Sequence, residues 1–156
     1  MKLFAKLKTY FTRKTEPEHL KRGKLGERAA KKYLKKQGLK FLTANFRSNR
    51  GEIDLIFRER SQIGLGSIFT RNGTDCLVFA EVKTRSSEEW TRPAAAVDAR
   101  KRRLLSQTAL DYLRLLKNPA TKIRFDIVEV LLREGTVREI RHLPNTFSLS
   151  RPYRYG

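Results

Sequence analysis

The chain has 156 residues, with 35 Lys and Arg against 16 Asp and Glu for a formal net charge of +19, which is one domain's worth of sequence carrying a large excess of cations. Such a chain gains most by binding a polyanion, because release of condensed counterions drives association; nucleic acid is the leading partner class and an anionic membrane surface its competitor. The single cysteine, Cys76, excludes an intramolecular disulfide and the usual cysteine-based zinc site, and no apolar run approaches the ~18 residues of a spanning helix, so a soluble, cytoplasmic protein with no integral membrane association is expected.

Residues 1–20 place Leu3, Phe4, Leu7, Tyr10 and Phe11 at helical spacing among Lys2, Lys6, Lys8, Arg13 and Lys14. They read as a basic amphipathic extension, either a frayed terminal helix or a contact with a membrane surface or nucleic acid. A domain is expected at 21–143, followed by a basic aromatic tail at 144–156. Within the domain, a helix is predicted over 24–37, with Leu25, Ala29, Ala30, Tyr33 and Leu34 on one face and Gly38 as its stop. Glu27, the one acid of this helix, falls at the edge of the apolar face, where a glutamate serves equally as a solvated residue or as a directed ligand.

Strand-like segments follow at 39–46, 53–58 and 77–85. The long connection at 59–75 contains Gly64, Gly66, Asn72 and Gly73 and reads as an elaborated loop, with room for a short strand at 67–70. Pro93 opens a second helix and Asn118-Pro119 closes it. Its buried stripe is Val97, Leu104, Leu105, Thr108, Ala109, Tyr112, Leu113 and Leu116, and Lys101 falls inside that stripe. A lysine there either snorkels to the edge or reaches something negative. Strands at 123–132 and 136–142 then turn at Glu134-Gly135. Asp126 lies in an apolar strand and requires a partner, for which Arg124 is the nearest candidate. The order helix, three strands, helix, two strands predicts an α/β fold in which helices flank one mixed central sheet.

Chemistry concentrates on two of these strands. Glu81 and Lys83 are two apart and share a strand face, and Asp54 comes from a neighbouring strand. Buried like charges repel, so Asp54 and Glu81 both stay ionised at neutral pH only with a cation between them or basic groups around them. Mg²⁺ suits such oxygen ligands, and it would bind a water and stabilise charge developing on a phosphoryl group. Lys83 would orient that water or neutralise the transition state, which points to hydrolysis of a phosphodiester bond. The same spacing also fits an amphipathic sheet face with cross-strand ion pairs, in which Glu52, Asp54 and Ile56 point one way and Ile53, Leu55 and Phe57 the other.

The succession Gly26-Glu27, Asn45-Phe46-Arg47, Gly51-Glu52-Ile53-Asp54-Leu55-Ile56, Val78-Phe79-Ala80-Glu81-Val82-Lys83-Thr84-Arg85 and Arg124-Phe125-Asp126-Ile127-Val128 resembles the PD-(D/E)XK nuclease superfamily. More narrowly it resembles the YraN-like bacterial family, similar in its motifs to archaeal Holliday-junction resolvases. The resemblance spans about residues 23–132. It implies the restriction endonuclease-like fold, Mg²⁺ or Mn²⁺ as cofactor and DNA as substrate, branched DNA and repair intermediates included, with RNA second. It also implies that Asp54, Glu81, the Val82 carbonyl and Glu27 form the metal shell and that Lys83 assists the water. Arg47, Arg50, Arg85 and Lys101 are then candidate nucleic-acid contacts, and a homodimer would supply the two sites that cutting a junction requires. Two departures stand out: Ile53 occupies the position before the motif aspartate where a proline is frequent, and the 59–75 loop is longer than a tight turn.

Overall fold

In the computed structural model, residues 17–60, 75–86 and 97–155 are described. They fold in the order α1 (Glu18–Lys36), β1 (Lys40–Ser48), β2 (Gly51–Glu59), β3 (Cys76–Arg85), α2 (Ala99–Leu115), β4 (Lys122–Arg133) and β5 (Thr136–Phe147), which is the expected succession. One five-stranded sheet runs β1-β2-β3-β4-β5. β3 and β4 are parallel and the other neighbours antiparallel. A hairpin cannot join parallel neighbours, and α2 lies in the crossover between β3 and β4.

Alternation along β3 divides the core into two layers. Val78 and Ala80 pack with Ala30 and Leu34 of α1, whereas Leu77 and Phe79 pack with Leu105, Ala109 and Leu113 of α2. The two helices therefore cover opposite faces of the sheet.

α1 begins at Glu18, six residues before the predicted start at 24, because Pro17 offers its carbonyl to the amides of Leu20 and Lys21 and begins the helix early. Its buried residues, Gly26, Ala30 and Leu34, recur every fourth position, as a helix lying on a sheet requires. At Gly26 the approach is close: a Cβ there would overlap Thr84 Oγ1 of β3 and stand 3.0 Å from Thr84 Cβ. Gly38, at φ of 90°, ends the helix as expected.

α2 is capped by Asp98, whose Oδ1 accepts the Lys101 amide at 2.7 Å. Pro93, the predicted opening residue, lies outside the described residues, as do the basic stretch 1–16 and the possible strand at 67–70. Leu116, placed in the buried stripe by its spacing, is instead 43 % exposed; it is the C-cap, where the chain leaves the sheet.

β5 continues to Phe147, past the predicted end at 142. A register irregularity between Phe125 and Ile127 lets it run on through Pro144, which an edge strand tolerates. The segment read as a basic aromatic tail is docked on the domain. Phe147 stacks on Phe125 at 4.7 Å, the Ser150 amide donates to Ser106 Oγ at 3.0 Å, and the Tyr155 hydroxyl donates to the Pro119 carbonyl. Asp126, fully buried, takes Arg124 Nε at 3.0 Å, His142 Nε2 at 2.8 Å and the Asn145 amide at 2.9 Å. Its oxygens are satisfied within the fold, so it holds β4 to β5.

Candidate active site

The site begins with a break in two ladders. β1 and β2 pair Ala44 with Leu55 and Phe46 with Ile53, skipping Asn45 and Asp54. Ala44 and Leu55 pack on the α1 side of the sheet, Phe46 and Ile53 on the α2 side. Residues two apart in a regular strand share a face, so both strands change face between these pairs. Strict alternation, with Ile53, Leu55 and Phe57 on one side, does not hold. Asn45 makes the change possible with φ of 52°, a left-handed conformation that asparagine tolerates better than most residues. The ladder between β2 and β3 also stops at Leu55 and Ala80. Asp54 therefore belongs to neither ladder, and its Oδ2 accepts the backbone amide of Val82 at 2.7 Å.

Opposite it, β3 keeps its alternation and sends Glu81 toward α2. This carboxylate is 5 % exposed. Its Oε1 accepts from Lys83 Nζ at 2.9 Å and lies 3.1 Å from Lys101 Nζ. Its Oε2 is buried and has no hydrogen-bond partner. Of the two roles open to Lys101 on an apolar helix face, the structure selects the second: its amine reaches a buried carboxylate.

The surroundings displace the Asp54 carboxyl strongly. Its pKa rises to about 7, first because burial penalises the charge and next because Glu81 repels it, with Glu27 adding to the effect. The Val82 amide and Lys101 oppose that rise without cancelling it.

Asp54, Lys83, Glu27, Arg85, His19 and Arg22 line one cleft of about 600 Å³. Glu81 is not part of this lining. Glu27 reaches the cleft because Gly26 lets α1 lie on Thr84, a contact whose sequence signal was the glycine immediately before the acid. His19 and Arg22 were missed since they lie N-terminal to the predicted helix start. Glu129 was also missed. It is fully buried, with neither oxygen hydrogen-bonded, Arg85 Nε lies 3.9 Å from its Oε1, and it is the register partner of Lys83; an acid inside the apolar run of β4 was the available signal.

Of the four predicted nucleic-acid contacts only Arg85 lines the cleft; Lys101 is turned to Glu81, and the other two lie elsewhere. Arg47, 76 % exposed, pairs with Glu52 at 3.1 Å, and Arg50 faces Asp111 of α2 at 3.6 Å. Both belong to the β1–β2 hairpin end and neither lines the cleft.

Among the described residues, no three His, Cys, Asp or Glu side chains form a ready metal cage. A Mg²⁺ ion needs no such cage, since one or two carboxylates with waters suffice. The residues expected to hold an ion, Asp54, Glu81 and the Val82 carbonyl with Glu27 from α1, would offer hard oxygens. Two features of the structure fit a cation. Glu81 Oε2 is a buried acceptor without a donor, and Asp54 is held near neutrality partly by repulsion from Glu81, which a positive ion between them would relieve.

A model described as "Uncharacterised protein family UPF0102" matches residues 26–130. A UPF0102 protein of Trichlorobacter lovleyi is 38 % identical over 82 % of this chain and 91 % of its own length. One from Pelobacter propionicus is 34 % identical over 86 % of this chain and 87 % of its own. One from Porphyromonas gingivalis is 35 % identical over 85 % and 87 % respectively. The matched span contains Glu27, Asp54, Glu81, Lys83 and Lys101.

Proposed function

The chain belongs to the uncharacterised protein family UPF0102, the YraN-like members of the PD-(D/E)XK nuclease-related group, and we propose that it is a divalent-metal-dependent endonuclease hydrolysing phosphodiester bonds in DNA. The observation that carries the reading is the Asp54 and Glu81 pair. A chain selected for folding alone would not set two crowded acids at the point where its strands part, one held near neutrality and the other with an orphaned oxygen, because each arrangement costs stability.

Asp54, Glu81 and the Val82 carbonyl would hold the ion, Mg²⁺ or Mn²⁺, with Glu27 completing the shell from α1. When bound, the ion supplies an activated water and neutralises charge on the phosphoryl oxygens. The protein's own part is to position and to balance charge. The Val82 amide fixes the Asp54 carboxylate, and Lys101 from α2 balances the charge on Glu81 Oε1. Lys83, anchored on that same oxygen, stands at the cleft wall where its amine donates to a scissile phosphate or to the attacking water. Arg22 and Arg85, on the same cleft, attract the phosphate backbone without reading bases.

The test is incubation with labelled duplex, single-stranded and four-way-junction DNA in Mg²⁺, Mn²⁺ or chelator. Metal-dependent cutting of at least one is expected, and absence of cutting in all of them contradicts the proposal. A second reading, nucleic-acid binding without turnover, is favoured by one observation: two amines already neutralise Glu81 Oε1. It predicts salt-sensitive binding to the same DNAs with no cleavage.

A further inference from the structure

We propose that the nucleic-acid backbone leaving the cleavage site runs along a basic groove between α1 and β1, an inference that rests on the reading of the site as one acting on nucleic acid. Three cavities adjoin in sequence. The cleft at Asp54 shares Glu27 with a second cavity of about 250 Å³ between Lys24, Arg28 and Lys31 of α1 and Ala44 and Asn45 of β1. That cavity in turn shares Arg28 and Lys31 with a third, of about 370 Å³, whose wall is continued by Lys32, Lys35 and Lys36.

The spacing of the cations matches an extended polyanion. Lys24, Arg28, Lys31 and Lys35 recur at intervals of four, three and four, which places them on one side of α1 over about 16 Å of helix. That length corresponds to roughly five phosphates of one duplex strand. From residue 24 to residue 36, α1 holds six cations and one acid, Glu27, and that acid faces the cleft end. Lys31 is held in place, its ammonium 4.7 Å from the centre of the Phe41 ring on β1, so one wall of the groove is ordered before any ligand arrives. The face has no apolar row to insert into lipid, and its start at the candidate catalytic carboxylates suits a strand whose scissile phosphate lies at Asp54 better than a membrane surface.

The experiment is fluorescence anisotropy with a labelled DNA duplex in chelator, so that no cleavage contributes and the outcome is independent of whether the site turns over. A groove triple variant, Arg28→Gln with Lys32→Gln and Lys35→Gln, is compared with a control triple, Lys117→Gln with Arg138→Gln and Arg154→Gln, which removes the same charge elsewhere. The groove triple should weaken binding at least tenfold and reduce the slope of log K against log salt by about 2 to 3, while the control changes affinity less than threefold. A charge-preserving triple, Arg28→Lys with Lys32→Arg and Lys35→Arg, should bind as the parent does and so separates lost charge from lost fold. Equal weakening by the groove and control triples, or loss of binding in the charge-preserving triple, overturns the proposal. So does a groove triple that keeps its DNA affinity but loses co-sedimentation with vesicles of phosphatidylserine and phosphatidylcholine, since that outcome assigns the surface to lipid.

Discussion

The backbone amide of Val82 donates to Asp54 Oδ2 at 2.7 Å, so a side chain takes up a strand amide two residues beyond Ala80, the last β3 residue paired with β2. The bond ties the motif aspartate to the E-x-K strand. A cluster that sequence spacing describes as alternation on two strands is in fact organised by where those strands stop pairing.

The protonation of Asp54 gives the first prediction. An aspartate in the unfolded chain titrates near 4, and Asp54 in the fold near 7. Between those values the folded state keeps a proton that the unfolded state has lost. The contribution of this group to stability is therefore fullest below about pH 4, falls as pH rises to about 7, and is flat above. Asp54→Asn should be more stable than the parent by about 1–2 kcal/mol at pH 8, with the difference vanishing at pH 4. Urea unfolding at both values in chelator checks it, and an equal difference at the two would contradict the titration.

Lys101 should act on Glu81 and hence on the metal. Lys101→Met removes one of two amines from Glu81 Oε1. In chelator this should cost about 1–2 kcal/mol, because a buried carboxylate loses a partner. The same change should tighten Mn²⁺ binding several-fold in a calorimetric titration, since the ion then competes with one amine instead of two. Weaker Mn²⁺ binding would show that Lys101 positions Glu81 rather than competing for it.

Asn45 should matter through its backbone. Its φ of 52° is accessible to glycine and costly for a β-branched residue. Asn45→Gly is expected to leave the melting temperature within a few degrees of the parent. Asn45→Val should destabilise by about 1–2 kcal/mol and weaken Mn²⁺ binding, because a regular strand would return Asp54 to a sheet face. Equal behaviour of the two variants would remove the strand break from the account.

The helix–strand contact at Gly26 makes a separate prediction. Gly26→Ala places a methyl against Thr84, which should cost about 1–3 kcal/mol and move Glu27 away from the cleft. Thr84→Ala in the same chain should recover part of the loss, though not all, as the Thr84 Cβ itself would stand 3.0 Å from the new methyl. Thermal melts of the single and double variants give the coupling, and strict additivity would argue against the contact.

Much of this arrangement was legible in the residues. Period-two and period-3.6 patterns located the seven elements, and the Glu81 and Lys83 spacing correctly placed the two on one strand face. What those patterns lacked was any term for where pairing stops. Alternation put Ile53 and Leu55 on the same face, but the break at Asn45 and Asp54 separates them into the two core layers. The reach of β5 to Phe147 was hidden for a similar reason: Pro144 reads as a terminator unless the strand is known to lie at the sheet edge. The two roles left open for Lys101 depended on what lay across the helix interface, which only the packing of α2 over β3 supplies. Glu129 passed unremarked because an isolated acid in an apolar run carries no spacing signal of its own.

The central claim, that Asp54 serves a metal-dependent hydrolysis, is tested most directly by single-turnover cleavage of a labelled four-way junction in Mn²⁺ by the parent and by Asp54→Asn. The account predicts cutting by the parent that chelator abolishes, and a rate at least ~100-fold lower for Asp54→Asn. Equal cutting by the two proteins, or cutting by the parent that persists in chelator, would contradict it.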